Sequence, residues 1–186
     1  MTSMGFARLL REVVDAMTSL GIPYMVVGSF AGMAHGLSRT TLDLDVVIDP
    51  TADQLEQLLE RFADDRYYVD TDVARDARRR RTMFNVIDQH SGWKLDLIIR
   101  KARRFSVDEL ARRVDTTIHG VVVATATAED TIVAKLEWSK AGASERQLED
   151  VAAIVRARGK ALDLDYIERW VDELELREQW GRARKL

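Results

Sequence analysis

Two carboxylates set two residues apart inside an apolar run constrain this chain more than any other feature. Asp43-Leu44-Asp45-Val46 runs on into Val47-Ile48, and thirteen residues separate it from Val26-Val27-Gly28-Ser29, the end of an earlier apolar run. Side chains alternate between the two faces of a strand, so Asp43 and Asp45 point the same way. Two anions on one face of a core-like strand are costly unless a cation pairs with them. Two Mg²⁺ ions carrying a nucleoside triphosphate would supply that charge. Gly28 lets backbone come close to a ligand, and the N–H groups opening a helix after it suit phosphate. Ser29 adds a hydroxyl in the same place. A third carboxylate, Asp96, sits in another apolar run, Trp93-Lys94-Leu95-Asp96-Leu97-Ile98-Ile99.

The flanking segments place these residues on elements. Phe6, Leu9, Leu10, Val13, Val14, Met17 and Leu20 recur at helical spacing, and Gly21 with Pro23 ends that helix. Strands are expected over 24–27 and 42–48, with a short helix over 30–36 between them. Thr51 and Gln54 form a capping-box pattern for a helix to about residue 64. A short strand at 67–69 precedes a basic run over 75–81, expected as a loop or helical turn. Strands over 82–87 and 93–99 follow. Ser106 and Glu109 suggest a second capping box, opening a helix to residue 114. A hairpin, or a turn between short strands, is expected around His119-Gly120. Helices are then expected from Thr127 to about residue 140, from Ser144 to Gly159, and from Asp163 or Asp165 through Leu174. The fold class is thus α/β (α+β): a mixed β-sheet flanked by helices over 1–126, with a C-terminal helical part over 127–186.

Composition excludes several classes. With no cysteine among 186 residues there are no disulfides or thiolate metal sites, and a cytoplasmic location is the default. No apolar run approaches the length of a membrane span. A net charge of −3 argues against a nucleic-acid coat protein. Charge is nonetheless uneven: ten Lys or Arg residues lie between Arg75 and Arg104, against three aspartates.

Gly28-Ser29 followed by Asp43-Leu44-Asp45-Val46 resembles the signature of the DNA polymerase β-type nucleotidyltransferase superfamily. The lead-in Arg39-Thr40-Thr41-Leu42 is similar to its AbiEii-type and related small bacterial branches. The resemblance implies a nucleotidyltransferase fold, an NTP substrate, and a metal site of Asp43, Asp45 and Asp96 holding two Mg²⁺ ions. It gives Asp96 a part in activating the incoming hydroxyl. It places Gly28, Ser29 and Arg39 at the nucleotide. In the helical part, Glu129-Asp130, Lys135, Arg146 and Asp150 follow the order of the AbiEii-type branch. Lys135 would then stabilise charge on the leaving pyrophosphate, with Arg146 and Asp150 beside the triphosphate. Arg146 and Asp150, four apart on one helix, would share a face, and Asp150 could orient Arg146 or Lys135. Without the resemblance, all three read as a solvated ion-pair network, with Lys135 a surface residue of little weight in folding.

The implied acceptor is an RNA hydroxyl, such as a tRNA end, or a protein hydroxyl. A toxin role with an antitoxin partner also follows from the branch. The alternatives are an aminoglycoside-type small-molecule nucleotidyltransferase, which the basic run opposes, and a nucleotide- or partner-binding relative without transfer. Arg78, Arg79, Arg80 and Arg81 read equally as a phosphate grip or a solvated turn. Trp138 is expected in the core.

Overall fold

The computed structural model describes residues 3–38, 41, 43–142 and 144–186. The chain opens with helix α1 (Ser3–Ser19), strand β1 (Tyr24–Val26), helix α2 (Gly28–Ala34) and strand β2 (Asp43–Ile48). Helix α3 (Ala52–Arg61), strand β3 (Tyr67–Val69), helix α4 (Thr71–Arg80) and strands β4 (Met83–Asp88) and β5 (Lys94–Ile99) follow. Helix α5 (Arg104–Ala111) and the hairpin β6 (Val114–Ile118) and β7 (Val121–Thr125) lead to helices α6 (Ala128–Gly142), α7 (Glu145–Arg158), α8 (Leu164–Glu173) and α9 (Arg177–Ala183).

The strands form one mixed seven-stranded sheet in the order β3-β4-β5-β2-β1-β7-β6. β2 runs parallel to β5 and antiparallel to β1. Strand alternation sorts their side chains. Leu44, Val46 and Ile48 join Leu95, Leu97 and Ile99 in a core with the apolar stripes of α1, α3 and α4. Burying each such side chain is worth roughly 1.5–3 kcal/mol, so this face sets the register. The opposite face carries Val47 and Met25 in a small cluster with Leu110 of α5. It also carries the polar positions 43, 45, 94 and 96, which therefore open away from the main core.

Local signals account for most boundaries. Thr51 accepts from the Gln54 N–H while Gln54 accepts from the Thr51 N–H, the capping box read from the sequence. The β6–β7 turn uses His119 and Gly120, both at positive φ (46° and 77°), as the twist of a tight hairpin requires. Four expectations need correcting. The basic run is helical: α4 is capped by Asp70, and its buried Ala74 and Ala77 hold the arginines on a regular helix that ends with Arg81 in the left-handed region. Ser106 caps nothing; α5 begins two residues earlier, and the Ser106 hydroxyl accepts from Arg103 Nε inside the first turn. An additional helix, α9, packs Trp180 and Ala183 into the helical core. Trp138 is exposed rather than buried.

The helical core joins α6, α7, α8 and α9 around Ile132, Leu136, Leu148, Ile154 and Trp170. It also takes in Leu37 and Phe105 from the sheet-bearing part of the chain. α6 packs on α2 as well as on α7. This contact brings helical residues to the Gly28-Ser29 end of the sheet.

Candidate active site

The register decides the site. Asp45 pairs with Asp96 and Asp43 with Lys94 across β2 and β5. In a parallel pair, side chains at matched positions lie side by side on the same face. On the next strand Asn85 matches Asp96, and its amide donates to the Asp96 carboxylate. Lys94 reaches Asp96 Oδ2 at 3.0 Å and Asp43 Oδ1 at 3.5 Å, so an ammonium already bridges two of the carboxylates.

β1 delivers the glycine turn to the same end of the sheet. The Val27 N–H donates to the Asp45 carbonyl at 2.9 Å, tying the turn to the carboxylate strand. Gly28 has φ +63°, and a Cβ there would collide with the Asp45 carboxylate. Only glycine meets both demands. Ser29 stands next in α2, and no side chain caps this helix.

Lys135 comes from α6 and is buried, with only 8% of its side chain exposed. Its ammonium donates to Asp150 Oδ2 at 2.8 Å and to Gln147 Oε1 at 3.2 Å. The expectation of a solvated surface lysine is therefore corrected: α6 packs against α2 and α7, and Lys135 is buried between them where it lines the cleft. Asp150 pairs with Lys135, and Arg146 stands exposed at the cleft without an ion pair to a described residue. The cleft encloses about 360 Å³ between Ser29, Asp43, Asp45, Lys135, Arg146 and Asp150, with Thr41, Ser144 and Gln147 completing its wall. Arg39 lies outside the described residues. The structure thus brings together six of the sequence-derived positions around one cleft, with Gly28 behind them and Asp96 on the neighbouring strand.

Electrostatics mark Asp45. Burial, then the charges of Asp96 and Asp43, push its carboxyl up to about 6, against the pull of Lys94 and Lys135. A cluster that holds a proton this firmly is short of positive charge. Among the described residues no three carboxylate or histidine side chains converge as a ready metal cage. The donor chemistry nonetheless fits a hard divalent cation, since three carboxylates share one sheet face and Lys94 stands in for cationic charge between two of them.

Lys94, Asn85, Thr41 and Gln147 escaped the sequence reading. Lys94 was visible in principle, being two residues before Asp96 and hence on the same face. Asn85 needed the β4–β5 register, and Gln147 needed the packing of α7 against α6.

No family model matches the chain, and no curated protein matches it in sequence. Solved structures do match in shape. The solution structure of the antibiotic-resistance factor ANT(2'')-Ia is 12% identical with a TM-score of 0.62, covering 99% of this chain and 98% of that one. An antigenic nucleotidyltransferase-like protein from Paracoccidioides brasiliensis is 14% identical with a TM-score of 0.55, covering 92% of this chain and 88% of its own. The lincomycin-bound lincosamide antibiotic adenylyltransferase LnuA is 12% identical with a TM-score of 0.51, covering 78% and 93%. At such identities the likeness speaks for architecture, and the mixed seven-stranded sheet with its flanking helices is a nucleotidyltransferase fold.

Proposed function

We propose that this protein is a divalent-metal-dependent nucleotidyltransferase that moves a nucleotidyl group from an NTP to an acceptor hydroxyl. The observation that carries this reading is the matched register of Asp45 with Asp96, beside Asp43 and against the Gly28 turn. Asp43, Asp45 and Asp96 would hold Mg²⁺, which supplies charge neutralisation at the attacking and leaving oxygens. Ser29 lines the cleft where the triphosphate would lie. Lys135, oriented by Asp150 and Gln147, presents a fixed ammonium to the departing pyrophosphate, and Arg146 supplies a second cation at the rim. Asp96, held by Asn85, receives the acceptor hydroxyl's proton.

In the AbiEii-type reading the acceptor is an RNA end, such as that of a tRNA, or a protein hydroxyl, and the protein is the toxin of a toxin–antitoxin pair. A second reading, transfer to a small molecule, is favoured by one observation. The sheet face beyond Asp96 is bare: Tyr68 matches Ile87, Ile87 matches Lys94, and Met83 matches Ile98 on that face. Tyr68, Met83 and Ile87 are 58%, 42% and 36% exposed. Of the arginines that opposed a small-molecule acceptor, Arg78, Arg79 and Arg80 belong to α4, on the far side of the sheet. The structural likeness to antibiotic-modifying proteins agrees with this second reading.

The test is to incubate the full chain with each α-labelled NTP and Mg²⁺, together with total RNA, total protein or a panel of hydroxylated small molecules. Label appearing on one class, lost with EDTA and in Asp43→Asn, supports transfer and names the acceptor. No labelled acceptor and no pyrophosphate release with any NTP would overturn the assignment.

A further inference from the structure

Trp138 is 66% exposed, whereas Trp93, Trp170 and Trp180, the remaining tryptophans, are 8%, 1% and 3% exposed. An exposed indole presents a flat apolar face with a polar edge, which a planar ligand can cover. Trp138 lies on α6 three residues after Lys135, and positions three apart on a helix are surface neighbours. The other residues sharing its patch of helix surface are Ala134, Ala141 and Gly142, at four before, three after and four after. None is large enough to cover a ring. Among the described residues no aromatic ring or guanidinium stacks on it. Ser144, Arg146 and Gln147, which follow α6 in the sequence, wall the cleft.

A flat π-surface therefore stands about one helical turn from Lys135, whose ammonium faces a cleft that also carries the exposed Arg146 guanidinium. That combination is complementary to a molecule with a polyanionic end and a planar end. We propose that Trp138 is the stacking platform for the base of the NTP whose triphosphate lies in the cleft at Lys135, an inference that rests on the nucleotidyltransferase reading above. Stacking uses the π-face that every base has, so the platform adds affinity without selecting among bases. Lys135 and Trp138 then hold the two ends of one ligand from a single helix, and α6 acts as the ruler between phosphate and base.

Trp138 also makes the test direct, because it dominates the solvent-accessible tryptophan emission of the intact protein. The full chain is titrated with ATP, GTP, CTP and UTP, and with inorganic tripolyphosphate, each in the presence of Mg²⁺. Binding is measured in parallel by equilibrium dialysis. All four NTPs are expected to quench the emission and shield it from iodide, while tripolyphosphate competes for binding and leaves the emission unchanged. Trp138→Ala is expected to raise the NTP Kd roughly 5- to 150-fold, equivalent to about 1–3 kcal/mol per stacked base, and to leave the tripolyphosphate Kd alone. Trp138→Phe should keep most of the affinity while losing the optical signal. Wild-type NTP affinity in Trp138→Ala overturns the platform and leaves the nucleotidyltransferase reading standing, as would an equal optical response to tripolyphosphate. Iodide shielding that grows with protein concentration in the absence of nucleotide would assign the ring to a second copy of the chain and overturn it too. Absence of any NTP binding by dialysis overturns the nucleotidyltransferase reading, and the platform with it.

Discussion

Replacing Asp45 with asparagine should abolish nucleotidyl transfer and, with metal removed, make the protein more stable. The carboxyl of Asp45 is raised from an ordinary 3.8 to about 6, first by burial and then by Asp96 and Asp43. Below pH 3.8 the group is protonated in folded and unfolded chains alike, and above about 6 it is ionised in both. Between those values the folded chain binds the extra proton, so stability falls as pH rises, and the loss is complete above about 6. Ionising a group held to about 6 rather than 3.8 costs the folded state about 3 kcal/mol. Asparagine is close to isosteric and carries no charge, so most of that cost disappears. For a chain of this size the gain corresponds to an increase of about 6–12 °C in Tm. The assay is a series of thermal melts of both proteins from pH 4 to pH 8 in EDTA, repeated with Mg²⁺. The Tm difference should open between pH 4 and 6 and stay constant above. Mg²⁺ should then raise the Tm of the wild type much more than that of Asp45→Asn, because binding to the folded state alone stabilises it. An Asp45→Asn variant that is less stable at pH 7.5, or that transfers nucleotide at the wild-type rate, would refute the reasoning.

Further outcomes follow from particular contacts. Lys135→Met should lower both transfer and stability, by about 3–5 kcal/mol, because it strips the ammonium from a buried pair with Asp150; Lys135→Met with Asp150→Asn should recover Tm without recovering turnover, as melts and pyrophosphate release will show. Gly28→Ala should cost both stability and activity, since the residue has positive φ and the new methyl would strike the Asp45 carboxylate; an active, stable Gly28→Ala would show that the turn can move. Glu109, buried on α5, has a carboxyl pushed up to about 8 by burial and by Asp130. The folded state therefore loses stability as pH rises from about 4.5 to about 8, and Glu109→Gln should raise Tm at pH 8.5 and change it little at pH 4.5. Changing Arg79 and Arg80 together to Gln should leave NTP turnover unchanged, because both are exposed and pair with Asp76 on the far face of the sheet; a flattened salt dependence of RNA binding would instead give them a role in holding an acceptor.

The local sequence carried what depends on near neighbours along the chain. The alternation at Asp43, Leu44, Asp45 and Val46 already requires two carboxylates on one face and apolar residues on the other, because strand geometry has a period of two. Thr51 with Gln54 announces its helix because capping is satisfied within a single turn. The order of glycine turn, paired aspartates and third aspartate was sufficient to point to the fold. Long-range packing decided the rest. Lys135 reads as a surface charge from its own helix, and only the packing of α6 against α2 and α7 buries it against Asp150. Trp138, three residues on, reads as core by its composition, yet α6 turns it outward because the core-facing positions are filled by Ile132, Leu136 and Ser139. The buried alanines of α4 fasten Arg78, Arg79 and Arg80 to the sheet face opposite the carboxylates, a placement their own run does not encode. Asp45 acquires its raised pKa only when folding buries it and β5 brings Asp96, fifty-one residues away in the chain, into register beside it. Sequence spacing encodes which face a side chain takes on its own element; which other faces it meets is settled by how those elements bury their apolar sides.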